Sequence, residues 1–207
     1  WKLSAEGELK RKIDLSICHD EEYGTKDKIY GIISRMVVDE EGYIYLRGSG
    51  MRDLLLVLDP KGNFVKSITS GLESPYMPHE SAGLGIGRDG KVYTQVGAGD
   101  TEDYKMGIAS VDLEKGTIKD VYLGIVPEGT IMLDMIAPGT DTDFVFWGYD
   151  GIFTYNLGEE SAVNVLPAYE APCTWEGCGY CALPDGRIVF LDCTEYDDAY
   201  ERIPEKS

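Results

Sequence analysis

The sequence predicts an all-β domain, a β-propeller of four-stranded antiparallel blades, from three observations. Glycine turns recur at a fixed interval. A second class of turn follows each of them. Short β-branched and aromatic runs fill the space between.

The first turn appears as Asp39-Glu40-Glu41-Gly42 before Tyr43-Ile44-Tyr45, as Arg88-Asp89-Gly90 before Lys91-Val92-Tyr93, and as Pro184-Asp185-Gly186 before Arg187-Ile188-Val189. Gly42 and Gly90 lie 48 positions apart, and Gly186 lies 96 beyond Gly90, twice that interval. The skipped turn falls near position 138, where Ala137-Pro138-Gly139-Thr140 precedes Phe144-Val145-Phe146-Trp147. The second turn appears as Leu58-Asp59-Pro60-Lys61-Gly62, Val111-Asp112-Leu113-Glu114-Lys115-Gly116 and Tyr155-Asn156-Leu157-Gly158, and Trp1 to Gly7 reads as a further copy. Gly and Asn accept the dihedral angles that hairpin turns demand, so each unit reads as four antiparallel strands.

The expected strands are 32–38, 43–47, 53–58 and 64–68 in the first full unit. The second has 82–87, 91–96, 106–112 and 117–123, and the third has 131–137, 143–147, 151–156 and 162–166. Four strands per 40 to 50 residues is the repeat of a propeller blade. Residues 1–201 then divide into a partial blade over 1–17, blades over 31–69, 81–123 and 131–167, and a partial blade over 176–192, with 202–207 as a linker. The first partial blade supplies an outer pair of strands and the last an inner pair. Together they make about four blades, either a closed small ring without edge strands or an arc of a larger propeller. A start in mid-blade and an end that runs on favour the arc. A short helix over 5–14 is the alternative at the start, but an interior Gly7 costs a helix about 1 kcal/mol relative to Ala.

Composition narrows the function classes. A chain of 207 residues buries a core without help from disulfides or metals. Thirty-seven Asp and Glu against 19 Lys and Arg give a net charge of −18, which repels phosphate backbones and anionic headgroups and excludes nucleic acid as the expected partner. No apolar run reaches the roughly 18 residues of a membrane span, so direct membrane insertion is not expected. The chain opens at Trp1 without Met or a signal-like segment, which reads as a trimmed or mature piece. Five cysteines leave at least one thiol unpaired within the chain.

In a four-stranded blade the first-to-second and third-to-fourth connections share one face. Here these are short. The connections expected on the other face are long: 18–31, 48–52, 70–80, 97–105, 124–130, 167–177 and 193–201. Long loops on a rigid scaffold collect binding residues. Aromatic faces there stack on sugar rings while their polar tips bond hydroxyls, which makes Tyr23, Tyr76, Tyr104, Tyr149 and Trp175 the candidate ligand-binding residues. Packing between blades is the plainer role for any one of them.

Catalytic and metal-binding material is thin, and no cofactor is expected. Cys173, Cys178, Cys181 and Cys193 include a C-x-x-C pair suited to zinc, yet Cys178 and Cys181 fall in or beside an inner strand whose alternate positions face opposite ways. Buried thiols, or a disulfide such as Cys173 with Cys178 or Cys18 with Cys173, are the plainer readings. His19 and His79 are the only histidines, both in expected loops, so a Ser-His-Asp triad lacks material. The loop from Gly97 to Asp103 and the pair Asp141 and Asp143 offer hard oxygens to Ca²⁺ without EF-hand spacing, and a solvated acidic loop explains them more simply. Lactonase-type propellers hold a channel metal with Glu, Asn and Asp, but Asn63 and Asn156 belong to hairpin turns, leaving Asn164.

The segment Tyr149-Asp150-Gly151-Ile152-Phe153-Thr154-Tyr155-Asn156-Leu157-Gly158-Glu159-Glu160 resembles one in large extracellular solute-binding lipoproteins of clostridial Firmicutes. Leu183-Pro184-Asp185-Gly186-Arg187-Ile188-Val189, an acidic loop and Glu201-Arg202-Ile203-Pro204-Glu205-Lys206 resemble the point where the N-terminal propeller-like region of such proteins passes into the two-lobed binding domain. The resemblance covers roughly 31–207 in pattern. It implies a cell-surface lipoprotein serving an ABC importer of sugars or another small nutrient, with covalent continuation into a solute-binding domain. The resemblance implies a lipid-attachment cysteine, a signal peptide and two binding lobes that this sequence does not contain, so the transport-linked ligand site is expected outside it.

The expected function is thus a non-enzymatic accessory or recognition propeller that contacts a carbohydrate or another protein through its long-loop face. One alternative is a free-standing interaction scaffold. The other is a metal-dependent hydrolase or lyase, which needs convergent carboxylates around an ion.

Overall fold

The computed structural model describes residues 2–3, 9–13, 33–48, 55–69, 83–99, 103–126, 133–148, 151–167, 180–182 and 187–190. All regular structure among them is β, with no helix. β1 (Lys2–Leu3) and β2 (Leu9–Arg11) form an antiparallel hairpin, so residues 9–11 are strand and not the alternative helix. The first four-stranded sheet runs in order β3 (Ile33–Val38), β4 (Ile44–Gly48), β5 (Leu55–Leu58) and β6 (Phe64–Ile68). A second meander follows as β7 (Leu84–Ile86), β8 (Val92–Ala98), β9 (Lys105–Asp112) and β10 (Thr117–Leu123). The third is β11 (Leu133–Ala137), β12 (Phe144–Gly148), β13 (Gly151–Tyr155) and β14 (Val163–Pro167). β15 (Tyr180–Ala182) and β16 (Ile188–Phe190) pair as a second hairpin.

The recurring turn has a physical cause beyond its glycine. Gly42 and Gly90 adopt φ of +88° and +78°, which side chains disfavour. The preceding aspartate then ties the turn to the next strand. Asp39 accepts the Tyr43 N–H at 2.8 Å and the Tyr45 hydroxyl at 3.0 Å. Asp89 accepts the Lys91 N–H at 3.1 Å and the Tyr93 hydroxyl at 3.0 Å. Tyr45 and Tyr93 therefore occupy the same place in successive repeats.

One arrangement differs from the expectation of separate four-stranded sheets. The second and third meanders are joined into a mixed eight-stranded sheet that curls as a half-barrel, in the order β10-β9-β8-β7-β11-β12-β13-β14. The junction is a short parallel pairing in which Met135 opposes Leu84 and Ile136 opposes Gly85. Gly85 permits it, because a Cβ there would run into the Ile136 carbonyl oxygen. Gly85 is followed by a single apolar residue before the turn, a pattern that does not announce a close approach.

Each meander packs face against its neighbour. Tyr45, Leu55, Val57 and Ile68 of the first sheet share a buried cluster with Leu84, Val92, Val96, Ala109 and Ile118 of the second meander. Tyr93, Met106 and Ile108 share another with Ile136, Phe144, Phe146, Phe153 and Tyr155 of the third. Strand alternation sends Val92 and Val96 one way and Tyr93 the other, so every residue from Val92 to Gly97 is buried. In the second cluster the Tyr93 ring meets Phe144 edge-on at 4.7 Å, and Phe144 stacks with Phe146 at 5.8 Å. The outer seam is closed by the Thr69 N–H donating to the Gly116 carbonyl at 3.1 Å and Lys66 Nζ donating to the Glu114 carbonyl at 2.9 Å.

Candidate functional site

Four polar side chains are buried among the described residues: Arg47, Thr94, Gln95 and Ser110. Arg47 and Thr94 meet directly, and Gln95, on the opposite face of β8, is linked to Thr94 through the Gly83 backbone. Arg47 is near the end of β4, and alternation from Tyr45 points it at the second meander. Its Nη1 donates to Thr94 Oγ1 at 2.5 Å. The Thr94 hydroxyl donates to the Gly83 carbonyl at 3.2 Å. Gln95 closes the group, since its Oε1 accepts the Gly83 N–H at 3.4 Å, its backbone N–H donates to the Gly83 carbonyl at 2.8 Å, and its Nε2 contacts Met106 Sδ at 2.8 Å.

Position along the strands gives this group its interest. Gly83 immediately precedes the inner strand β7, and Arg47 precedes the end of β4, so both lie away from the short Asp-Gly turns. Arg35 on β3 is the cross-strand partner of Arg47 and is half-buried. Two guanidinium groups set opposite each other repel, an arrangement that disfavours folding unless acceptors surround them. Burial pushes the Arg47 guanidinium down to about 10 by penalising its charge, and it stays cationic at neutral pH.

The opposite end of the meanders behaves differently. Lys91 Nζ lies 3.1 Å from Asp89 and 3.5 Å from Asp120 and offsets part of their negative charge. The Ser110 hydroxyl lies 3.0 Å from Asp120 Oδ2. Asp143 is engaged in the turns, its Oδ2 accepting the Leu157 N–H at 2.8 Å and its own N–H donating to Asn156 Oδ1 at 3.1 Å. Asn63 likewise bonds Asp59 within its turn, at 2.8 Å through both its backbone N–H and its Nδ2. No group of three or more His, Cys, Asp or Glu residues suited to a metal occurs among the described residues.

Of the five aromatic candidates, Tyr23, Tyr76, Tyr149 and Trp175 lie outside the described residues. Tyr104 is described, and it packs half-buried against the cluster of Tyr93, Met106 and Ile108. Its hydroxyl sits over Gly97, in the space a Cβ would fill. The plainer packing role fits it. Cys18, Cys173, Cys178, Cys193, His19 and His79 also lie outside the described residues, while Cys181 is the central residue of β15. Gly148 and Gly151 oppose each other, so only two residues join β12 to β13, a tight connection on the face expected to carry long ones.

Sequence reasoning passed over Arg35, Arg47, Thr94 and Gln95. Their signal is present in Tyr43-Ile44-Tyr45-Leu46-Arg47 and Val92-Tyr93-Thr94-Gln95-Val96, where polar residues interrupt runs buried on both faces. No protein-family model matches the chain, and no curated protein matches it.

Proposed function

We propose that the chain is a β-propeller whose long-loop face recognises a carbohydrate or another protein, as a non-enzymatic accessory module of a cell-surface solute-binding lipoprotein serving an importer. The propeller reading is supported by three repeated four-stranded meanders packed face to face. The lipoprotein and importer context is supported by the sequence resemblance alone.

The observation that carries the recognition reading is the buried Arg47–Thr94 pair, with Arg35 across the strand from Arg47, placed away from the short turns. The Asp-Gly turn end, by contrast, spends its polar groups on its own turns.

The test is a glycan-array screen of the purified chain beside Trp175→Ala, Tyr76→Ala and Arg35→Gln variants. Recognition predicts binding by the wild type that falls at least tenfold in one or more variants of unchanged thermal stability. Silence of the wild type removes the sugar reading. Binding that survives in all three variants removes the face assignment.

A further inference from the structure

The strands that end the three meanders, β6, β10 and β14, hold most of the large apolar side chains left exposed among the described residues: Phe64 and Val65, Val121, and Val163 and Val165. A strand at a sheet edge offers unpaired N–H and C=O groups to any other strand, and folded proteins blunt such edges with charge, bulges or cover. Each of the three has a one-residue bulge, at Val65, Asp120 and Val165. Charge and cover separate them.

β10 has both. Its bulged residue is Asp120, at φ +44°, with its carboxylate 3.0 Å from the Ser110 hydroxyl and 3.5 Å from Lys91 Nζ, and Lys119 stands exposed beside it. Its start is covered, since Thr117 bridges Thr69 in parallel and the preceding Gly116 carbonyl accepts the Thr69 N–H. The same bridge covers the far end of β6, where Lys66 reaches across to the Glu114 carbonyl at 2.9 Å. β14 has neither. Its residues Val163-Asn164-Val165-Leu166-Pro167 include no charge, and among the described residues no strand lies beyond it in the eight-stranded sheet. Val163 and Val165 are 58% and 54% exposed, and Asn164 between them is exposed as well.

The strand is nevertheless fixed in place. The Ala162 N–H donates to the Ile125 carbonyl at 2.5 Å, which ties the start of β14 to the segment after β10. The Glu159 carboxylate accepts the Asn156 N–H and Nδ2, both at 3.1 Å, and its backbone carbonyl accepts the Tyr155 hydroxyl at 3.2 Å, which locks the turn before β14. An edge already held as a strand loses little freedom when another strand adds to it.

Charge around this edge is of one sign. From Asp120 to Gly186 the chain has no Lys, Arg or His, so the third meander carries Asp134, Asp141, Asp143, Asp150, Glu159 and Glu160 without a cation of its own. Glu159 and Glu160 are exposed at the head of β14.

We infer that β14 is a docking edge for an extended basic segment of another protein, which adds to the sheet as a further strand. Its β-branched or apolar side chains lie beside Val163 and Val165, and its basic ones reach Glu159 and Glu160. A second copy of the chain is the poorer occupant, because each copy brings a net charge of −18 and the same cation-free meander. This edge is separate from the long-loop face proposed above and does not rest on that reading.

The test uses the full chain and a fluorescein-labelled peptide of alternating Val and Thr between terminal lysine pairs, beside the same peptide ended in glutamates. Anisotropy should show binding of the lysine peptide, with the glutamate peptide weaker by about tenfold or more. Amide hydrogen exchange should slow in 163–166 when the lysine peptide is present, with 117–123 unchanged. The double variant Val163→Ser, Val165→Ser, at unchanged thermal stability, should bind the lysine peptide about tenfold more weakly. No binding of the lysine peptide, or equal binding by the double variant, overturns the inference. Binding that leaves exchange in 163–166 unchanged is plain attraction of a cation to an acidic chain and overturns it too. A dimer in sedimentation velocity, with protection of 163–166 that fades on dilution, assigns the edge to a second copy and overturns the choice of partner. None of these results depends on the glycan array, so the edge and the long-loop face fail separately.

Discussion

Arg47 Nη1 donates to Thr94 Oγ1 at 2.5 Å across the boundary between the first sheet and the second meander. Both residues are buried, at 5% and 0% exposure, so this bond joins two repeats through polar atoms inside an otherwise apolar seam. Thr94→Val keeps the shape and removes the acceptor. A charged donor left short of one partner in a buried place costs about 1–3 kcal/mol. Urea unfolding should show that loss for Thr94→Val, and Arg47→Met should cost less in the Thr94→Val background than in the wild type. Additive losses would mean the two side chains do not interact in solution.

The aromatic cluster between the second and third meanders sets the largest single loss. Phe144 is 1% exposed, edge-on to Tyr93 at 4.7 Å and stacked on Phe146 and Tyr155 at 5.8 and 6.2 Å. Phe144→Ala removes ring contacts on several sides and leaves a cavity, for a cost of about 3–5 kcal/mol. Phe144→Leu should recover more than half of that in the same chemical denaturation assay.

Acid should weaken the Asp-Gly turns. Burial works against ionisation of Asp89, but the Lys91 N–H, the Lys91 ammonium and the Tyr93 hydroxyl outweigh it and hold the carboxyl below its ordinary value of 3.8. A carboxylate whose folded value is depressed contributes stability that is full above the unfolded value and is lost as pH falls through the folded one. The expected loss therefore begins below about pH 4. Asp89→Asn should be less stable than the wild type at pH 7 and should lose less on going to pH 2.5, read as urea midpoints. Asp59 and Asp112, lowered mainly by the backbone N–H groups of Asn63 and Lys115, maintain an acid-dependent slope in that variant.

The repeat was legible because its turns use residues whose chemistry is local. Gly42 and Gly90 with Asp39 and Asp89 specify a turn and its tie to Tyr45 and Tyr93 within a few positions, and the strands fall within about two residues of the expected spans. The fusion of two meanders was not legible, because it depends on Gly85 and Ile136, 51 positions apart, and on an approach that glycine permits without requiring. Among site residues, sequence reasoning sought aromatic rings in loops. The converging groups are instead polar interruptions of buried strands, whose partners across the seam come from another repeat.

The β7–β11 junction itself can be challenged. Gly85→Ala places a methyl group against the Ile136 carbonyl, which must move for the strand pair to persist. Overpacking of this kind costs about 1–3 kcal/mol. Amide hydrogen exchange should show faster exchange in 84–86 and 135–136 than in the wild type, with β4 and β5 little changed. Equal acceleration throughout would make the second and third meanders one cooperative unit with the first.

Tyr104 and Gly97 offer a test of whether an aromatic residue beside an expected loop serves packing. The three atoms nearest to a Cβ built on Gly97 all belong to the Tyr104 side chain, its hydroxyl first. Gly97→Ala should therefore destabilise by about 1–3 kcal/mol, the ordinary cost of forcing volume into a filled place. Tyr104→Ala should destabilise as well, because the ring packs against Tyr93, Met106 and Ile108. In the Tyr104→Ala background the obstruction is gone, so adding Gly97→Ala should cost little, a coupling of at least 1 kcal/mol between the two positions. Additive effects would instead place the Tyr104 ring away from Gly97 in solution and return it to the pool of residues free to meet a ligand.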